Sequence, residues 1–286
     1  MSKHPPTPNV PFPALTPAQR LYLEVNGYVI LEKLISAERV EVLRDTILEM
    51  EARDRATAEL PGPDCYLSQS SDDVWRLDNV PHLAPCFFDY LTDPRIVGMA
   101  EEICGGAVRL EQSDAHVRRP DSKDQYAFHR GIYGGFSHTR KGLYHFTFVK
   151  ALTNLTDLGP DDGGTTVIAG THKITRDVEN ADIINAAMDD PRLIHQVEAP
   201  AGSTLLFYES LMHSHGIIRS DNDRLLVLGG YTPTMFQTWN GYEPNADFTA
   251  GLSDHHRELL TGEIKFRWHE RTRELGMPAQ AVPEQT

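Results

Sequence analysis

Ser203-Thr-Leu-Leu-Phe207, Leu211-Met-His-Ser-His-Gly216 and Arg224-Leu-Leu-Val-Leu-Gly-Gly-Tyr231 are the stretches whose reading decides the fold. The first and last are short apolar runs bounded by Gly, Ser and Asp, the pattern of strands buried on both faces. Working outward, the same reading places strands at residues 107–110, 143–152, 165–168 and 193–197. Helical patterns precede them. Short strands at this spacing after a helical start predict an α+β fold: a double-stranded β-helix, or jelly-roll and cupin-like barrel, with N-terminal helices packed on one sheet.

The first third of the chain supplies those helices. Thr16 suits an N-cap, Pro17 the first helical position, and Leu21, Tyr22 and Val25 an apolar face that Asn26-Gly27 ends. Residues 28–31 read as a strand, and Ser36 opens a second helix expected to run through Glu51. The polar stretch 51–79, centred on Pro61-Gly62-Pro63, reads as a long loop, and long loops in compact domains are often lids or binding segments. Residues 87–104 return to helical character, with Pro94 starting a second piece and Gly105-Gly106 stopping it. The proline-rich residues 1–15 are expected to form a flexible tail, and 16–286 a single domain.

A net charge of −14 over 286 residues argues against a nucleic-acid polymer or an anionic membrane as partner. Three cysteines without C-x-x-C spacing, and no apolar run near the length of a membrane span, point to a reducing cytoplasm. Charge is uneven, however. Between His116 and Lys150 seven basic residues, including Arg118, Arg119 and Arg130, face only Asp121 and Asp124. Such an island predicts a small, anionic substrate. Trp239 and Tyr242 near the C-terminal end are expected to pack rather than to stack on that substrate.

Chemistry is concentrated in two histidine segments. Among thirteen histidines a lone one says little. Phe128-His129-Arg130-Gly131 precedes one strand run, while His213 lies between two others and Arg224 opens the second of them, so a barrel can bring all three to one mouth. A mononuclear iron oxygenase holds its metal with two imidazoles and usually a carboxylate two residues after the first His. Here that place is Gly131.

In these features the chain resembles the phytanoyl-CoA dioxygenase family of iron(II)- and 2-oxoglutarate-dependent oxygenases over most of residues 16–232. The resemblance rests on Asn26-Gly-Tyr-Val-Ile30, Phe128-His-Arg-Gly131, Asp157-Leu-Gly-Pro-Asp-Asp-Gly-Gly164, Val167-Ile-Ala-Gly-Thr-His-Lys173, His213-x-x-Gly216, Arg219-Ser220 and Arg224. It implies His129 and His213 as metal ligands, and His-x-x-Gly favours His213 over His215. It also implies Arg224 as the clamp for the distal carboxylate of 2-oxoglutarate, a role suited to a planar, permanently charged fork. Ser220 or Thr147 would add a hydroxyl to that carboxylate. The family's acid is absent at Gly131, as in the related halogenases, where Gly or Ala leaves an open halide position on iron. The resemblance therefore implies a radical halogenase using Fe(II), 2-oxoglutarate, O2 and chloride, and the basic island points to Arg130 as a grip on a phosphate or carboxylate of the substrate. Two alternatives stand beside it: a hydroxylase whose missing acid is replaced by water or by a carboxylate such as Asp124, and a metal-free binding protein on the same fold. An Asp→Gly replacement in a natural hydroxylase would give the same sequence.

Overall fold

A computed structural model describes residues 14–120, 126–131, 138–140, 143–145, 148–174, 178–234, 236 and 241–262. Helix α1 (Pro17–Asn26) begins on Thr16, whose hydroxyl accepts from Gln19 N while the Gln19 side chain accepts from Thr16 N; Gly27 ends it at φ 85°. That reciprocal cap contributes about 1 kcal/mol. Residues 1–13 lie outside the described residues. Ala14 and Leu15, assigned to the tail, are fixed instead: both amides donate to Glu102, and Leu15 is buried.

After β1 (Tyr28–Leu31), α2 (Ala37–Thr57) starts on the Ser36 hydroxyl and continues a turn and a half past Glu51. The loop expected over 51–79 is therefore wrong. Its second half forms β2 (Tyr66–Ser70) and β3 (Val74–Asp78), an antiparallel hairpin. Trp75 and Leu77 are fully buried while Arg76 faces the other way, and this period of two was hidden because the far face meets a polar cavity. Helices α3 (Pro85–Leu91) and α4 (Pro94–Cys104) follow, split at Pro94 and stopped by Gly105. The next strand, β4 (Val108–Arg118), runs far beyond the expected stop at 110.

The remaining strands are β5 (His138–Arg140), β6 (Leu143–His145), β7 (Val149–Asn154) and β8 (Thr166–Ile168). Helix α5 (Asn180–Asp189), which sequence did not suggest, precedes β9 (Ile194–Gln196), β10 (Thr204–Tyr208), β11 (Met212–Ser214) and β12 (Arg224–Pro233). Short helices α6 (Ala246–Ala250) and α7 (Asp254–Thr261) close the described chain.

A seven-stranded sheet in the order β1-β10-β7-β12-β4-β3-β2 faces a three-stranded sheet, β11-β8-β9, and β5 pairs with β6. This is the expected jelly roll. Alternation divides each strand of the large sheet between two environments. Val149 and Ala151, Leu206 and Tyr208, Leu225 and Val227 join Leu23, Ile47, Phe87 and Ile96 in the core under the helices. Leu152, Leu205, Phe207, Leu226 and Leu228 point the other way, into the barrel with Val167. Among the described residues no helix is long and apolar enough to cross a membrane.

Candidate active site

The inward faces of β3, β4, β7, β10 and β12 and the strand carrying His213 enclose a cavity of about 180 Å³. On β4 the alternation that buries Ala115 and Val117 outward aims Gln112, Asp114, His116 and Arg118 into it. His129 and His213 line one side, Arg224 and Thr165 another.

The two histidines are brought together by backbone pairing. Each donates its amide to the other's carbonyl at 2.9 Å, an isolated antiparallel bridge that puts both side chains on one face. Their ring centroids are 4.3 Å apart. His129 Nδ1 donates to Ala127 O at 3.0 Å and His213 Nδ1 to Leu211 O at 2.7 Å, since a carbonyl only accepts. That fixes the tautomer on both rings and leaves each Nε2 lone pair available to a metal. Burial pushes the His213 imidazole down to about 4 despite the pull of Glu209, so it is neutral, the form a metal needs. His215 also lines the cavity but follows the end of β11.

Arg224 is 1% exposed, and its hydrogen-bond partners are neutral oxygens: Asn154 Oδ1, Gly163 O and Thr165 Oγ1. Burial, then the charge of Arg118, lowers its pKa to about 9. A buried cation oriented by three neutral acceptors is a ready site for a carboxylate. Thr165, which lines the cavity, presents its hydroxyl to Arg224. Ser220 instead donates to Asp162 Oδ1 at 2.6 Å in a turn away from the cavity, and Thr147 lies outside the described residues, as does Asp124.

Arg130 is likewise not where expected. His129 and Gly131 face one side of their extended segment, so Arg130 faces the other, where it donates to Asn180 Oδ1, Ile174 O and Val178 O. It tethers the segment before α5 rather than a substrate. Two more members of the basic island are engaged within the fold: Arg119 with Glu51 and Asp223, and Lys150 with Glu209.

Glu209 is the residue that sequence missed. It is 2% exposed, follows β10 on the inward register of Leu205 and Phe207, and enters the tight turn to β11. A Cβ built on residue 131 would collide with Glu209 Oε1, so this carboxylate fills the space beside Gly131 that was expected to be an open halide position. The clue was an acid on the inward parity of an apolar strand, four residues before His213; the strand was ended too early to show it. Among the described residues no three His, Cys, Asp or Glu side chains form a preassembled metal cluster.

Arg76 and Asp114 give another part of the cavity wall a polar lining. Arg76 donates to Asp78 and Asp114, and the Tyr242 hydroxyl lies 2.5 Å from Asp78 Oδ1 and 2.6 Å from Asp114 Oδ1. One hydroxyl proton cannot serve both contacts, and burial with the Asp114 charge pushes Asp78 up to about 6, favouring a proton held there. Tyr242 packs edge-on against Tyr66, while Trp239 lies outside the described residues.

Comparison with known proteins agrees with this geometry. Residues 23–226 match the family described as phytanoyl-CoA dioxygenase. An ectoine dioxygenase of Bordetella bronchiseptica is 25% identical over 160 residues, 56% of this chain and 50% of that protein. The chain thus spans about half the length of that relative. Among solved structures, HygX from Streptomyces hygroscopicus with nickel and 2-oxoglutarate bound superposes with a TM-score of 0.65 at 21% identity, covering 82% of this chain and 93% of that one. SnoK, a non-heme alpha-ketoglutarate-dependent carbocyclase from nogalamycin biosynthesis, superposes at 0.61 with 18% identity over 81% and 87% of the two chains. These likenesses establish the jelly roll, and with the match over residues 23–226 they place the chain in the phytanoyl-CoA dioxygenase family.

Proposed function

We propose that the chain is an iron(II)- and 2-oxoglutarate-dependent oxygenase that hydroxylates a small polar molecule. One observation carries the reading: two imidazoles with their Nε2 atoms presented to the same cavity as a buried Arg224 whose partners are all neutral. The donor set fits the cofactors. His129 and His213 would hold the metal, and Arg224 with Thr165 would hold the distal carboxylate of 2-oxoglutarate. Together with O2 these supply an oxidant able to replace an unactivated C–H bond.

The protein's own part is positioning. Leu152, Phe207, Leu226 and Leu228 wall the cavity with apolar surface, which keeps water from Arg224 and strengthens its hold on a carboxylate. Gln112, Asp114, His116 and Arg76 stand where they can orient substrate groups. The acid and bases there favour a substrate bearing hydroxyl, amino or mixed-charge groups over a purely anionic one.

Halogenation retains the support of Gly131 alone. Against it stands Glu209, whose carboxylate occupies the adjoining space. The test is anaerobic titration of the protein with Fe(II) and 2-oxoglutarate, followed by oxygen. A visible charge-transfer band, succinate release and oxygen insertion into a polar substrate are expected, with no response of the band to chloride. Absence of the band would sink the metal reading, and a chloride-shifted band with chlorinated product would restore the halogenase.

A further inference from the structure

We propose that Glu209 is the carboxylate ligand of this metal centre, supplied from the turn before His213 instead of from residue 131. The inference deepens the function proposed above and rests on it. Two observations lead there, and two more describe how the carboxylate is held. Glu209 lies beside Gly131, where only the lack of a side chain leaves room for its Oε1. Its Oε2 stands 3.9 Å from His213 Nε2. The carboxylate is buried, an arrangement too costly to persist without cationic company. That company is Lys150, whose Nζ is 2.8 Å from Oε2.

Ligand spacing shows what binding requires. Two donors at about 2.1 Å from one ion are about 3 Å apart when adjacent on it. The separation of 3.9 Å is therefore about 1 Å too long, a distance that one rotation of the glutamate side chain covers. Lys150 can keep its bond to the carboxylate during that movement and afterwards orient it, as hydrogen-bonded partners of metal ligands generally do. Gly131 is then matched to Glu209: an aspartate at 131 and the glutamate at 209 would compete for one volume. The two-His-one-acid set is complete, with its acid carried by a Glu-x-x-x-His segment.

Cobalt(II) serves as an oxygen-stable probe, followed by calorimetry and by its visible ligand-field absorption, so the readout does not depend on turnover. The wild-type protein should bind one ion, and His213→Ala should abolish binding. Glu209→Ala and the shape-preserving Glu209→Gln should each weaken affinity by at least about tenfold and change the absorption. Gly131→Asp alone should also weaken binding, through collision. The double variant Gly131→Asp with Glu209→Ala should recover most of the affinity, because it returns the acid to the other side of the same corner.

Unchanged affinity and an unchanged spectrum in Glu209→Gln would overturn the proposal and leave a two-histidine centre, Glu209 and Lys150 being then an ion pair only. Failure of the double variant to improve on Glu209→Ala would count the same way. If the wild-type protein itself binds no cobalt, the metal reading fails first, which is a distinguishable result.

Discussion

The two ends of the cavity each bury a charge, and they hold it in opposite ways. At one end Arg224 is kept in place by Asn154, Gly163 and Thr165, all neutral oxygens. At the other, Glu209 is met by an opposite charge, Lys150. A buried ion without a counter-charge costs stability until an anion arrives, so the Arg224 end is poised for a ligand carboxylate. The Glu209 end is already neutralised, and a metal there must share the carboxylate with Lys150. The difference separates a site preorganised for binding from one that rearranges on binding.

The largest expected effect tests the first end. Replacing Arg224 by Leu should weaken 2-oxoglutarate binding by about 100-fold or more, the consequence of losing a desolvated, charged partner. Arg224→Lys should recover little, because one ammonium cannot span the three acceptors that orient the fork. Anaerobic titration of the charge-transfer band measures both. Near-normal affinity in Arg224→Leu would remove the contrast altogether.

The second end is tested through Lys150. Lys150→Met should lower the stability of the metal-free protein by about 3–5 kcal/mol in denaturant unfolding, since it strands the Glu209 carboxylate. Adding Glu209→Gln should return most of that loss, the signature of a coupled pair. Equal stability of wild type and Lys150→Met would mean that the Glu209 carboxylate does not depend on this ammonium, and that the two ends are not opposites.

The two ends also differ in how far they were legible from the chain. Arg224 opens an unbroken apolar strand, and His213 has a short motif around it, so local pattern located both. Thr165 and Glu209 depend on which face of a strand points inward, information that a short run cannot give until its partner strands are known. Gln112, Asp114 and His116 fell beyond the strand expected at 107–110 for a related reason. Polar side chains facing a wet cavity erase the apolar alternation that marks a strand, even though Ala115 and Val117 on the other face keep it. Arg130 was assigned to the substrate from its charge, but adjacent residues of an extended segment face opposite ways.

A third buried ionisable group calibrates both ends by staying neutral. His172 is fully buried, stacks 5.1 Å from the Tyr208 ring, and is pushed down to about 4 by burial and then by the charge of Lys173. Its folded pKa lies below the unfolded value, so the unfolded chain binds more protons as pH falls. Stability should therefore be fully present above about pH 6.5 and be lost toward pH 4. His172 should account for a loss on the order of 2–3 kcal/mol across that window. His116 and His213, also near 4, act in the same direction, and Asp78, raised to about 6, opposes them. Unfolding curves at several pH values should show a shallower acid limb in His172→Gln. An unaltered slope would mean that this imidazole does not titrate with folding.

The smallest effect concerns how tightly the Arg224 end is organised. Thr165 Oγ1 accepts from Nη2 at 2.8 Å, and Thr165→Val keeps the shape while deleting that acceptor. Two consequences compete. The guanidinium loses one of its orienting bonds, which weakens a clamp built on fixed geometry, yet it gains a free N–H that 2-oxoglutarate could use. Asn154 and Gly163 still engage the other side of the fork, so rotation is limited and the loss is the size of one hydrogen bond, about 1 kcal/mol or roughly fivefold in affinity. Orientation should win, because the freed donor faces a wall position that the threonine hydroxyl had filled. Ser220→Ala, whose hydroxyl is spent on Asp162, should leave affinity unchanged. Tighter binding in Thr165→Val would show that the neutral oxygens compete with the cosubstrate, and the Arg224 end would then need to rearrange on binding just as the Glu209 end does.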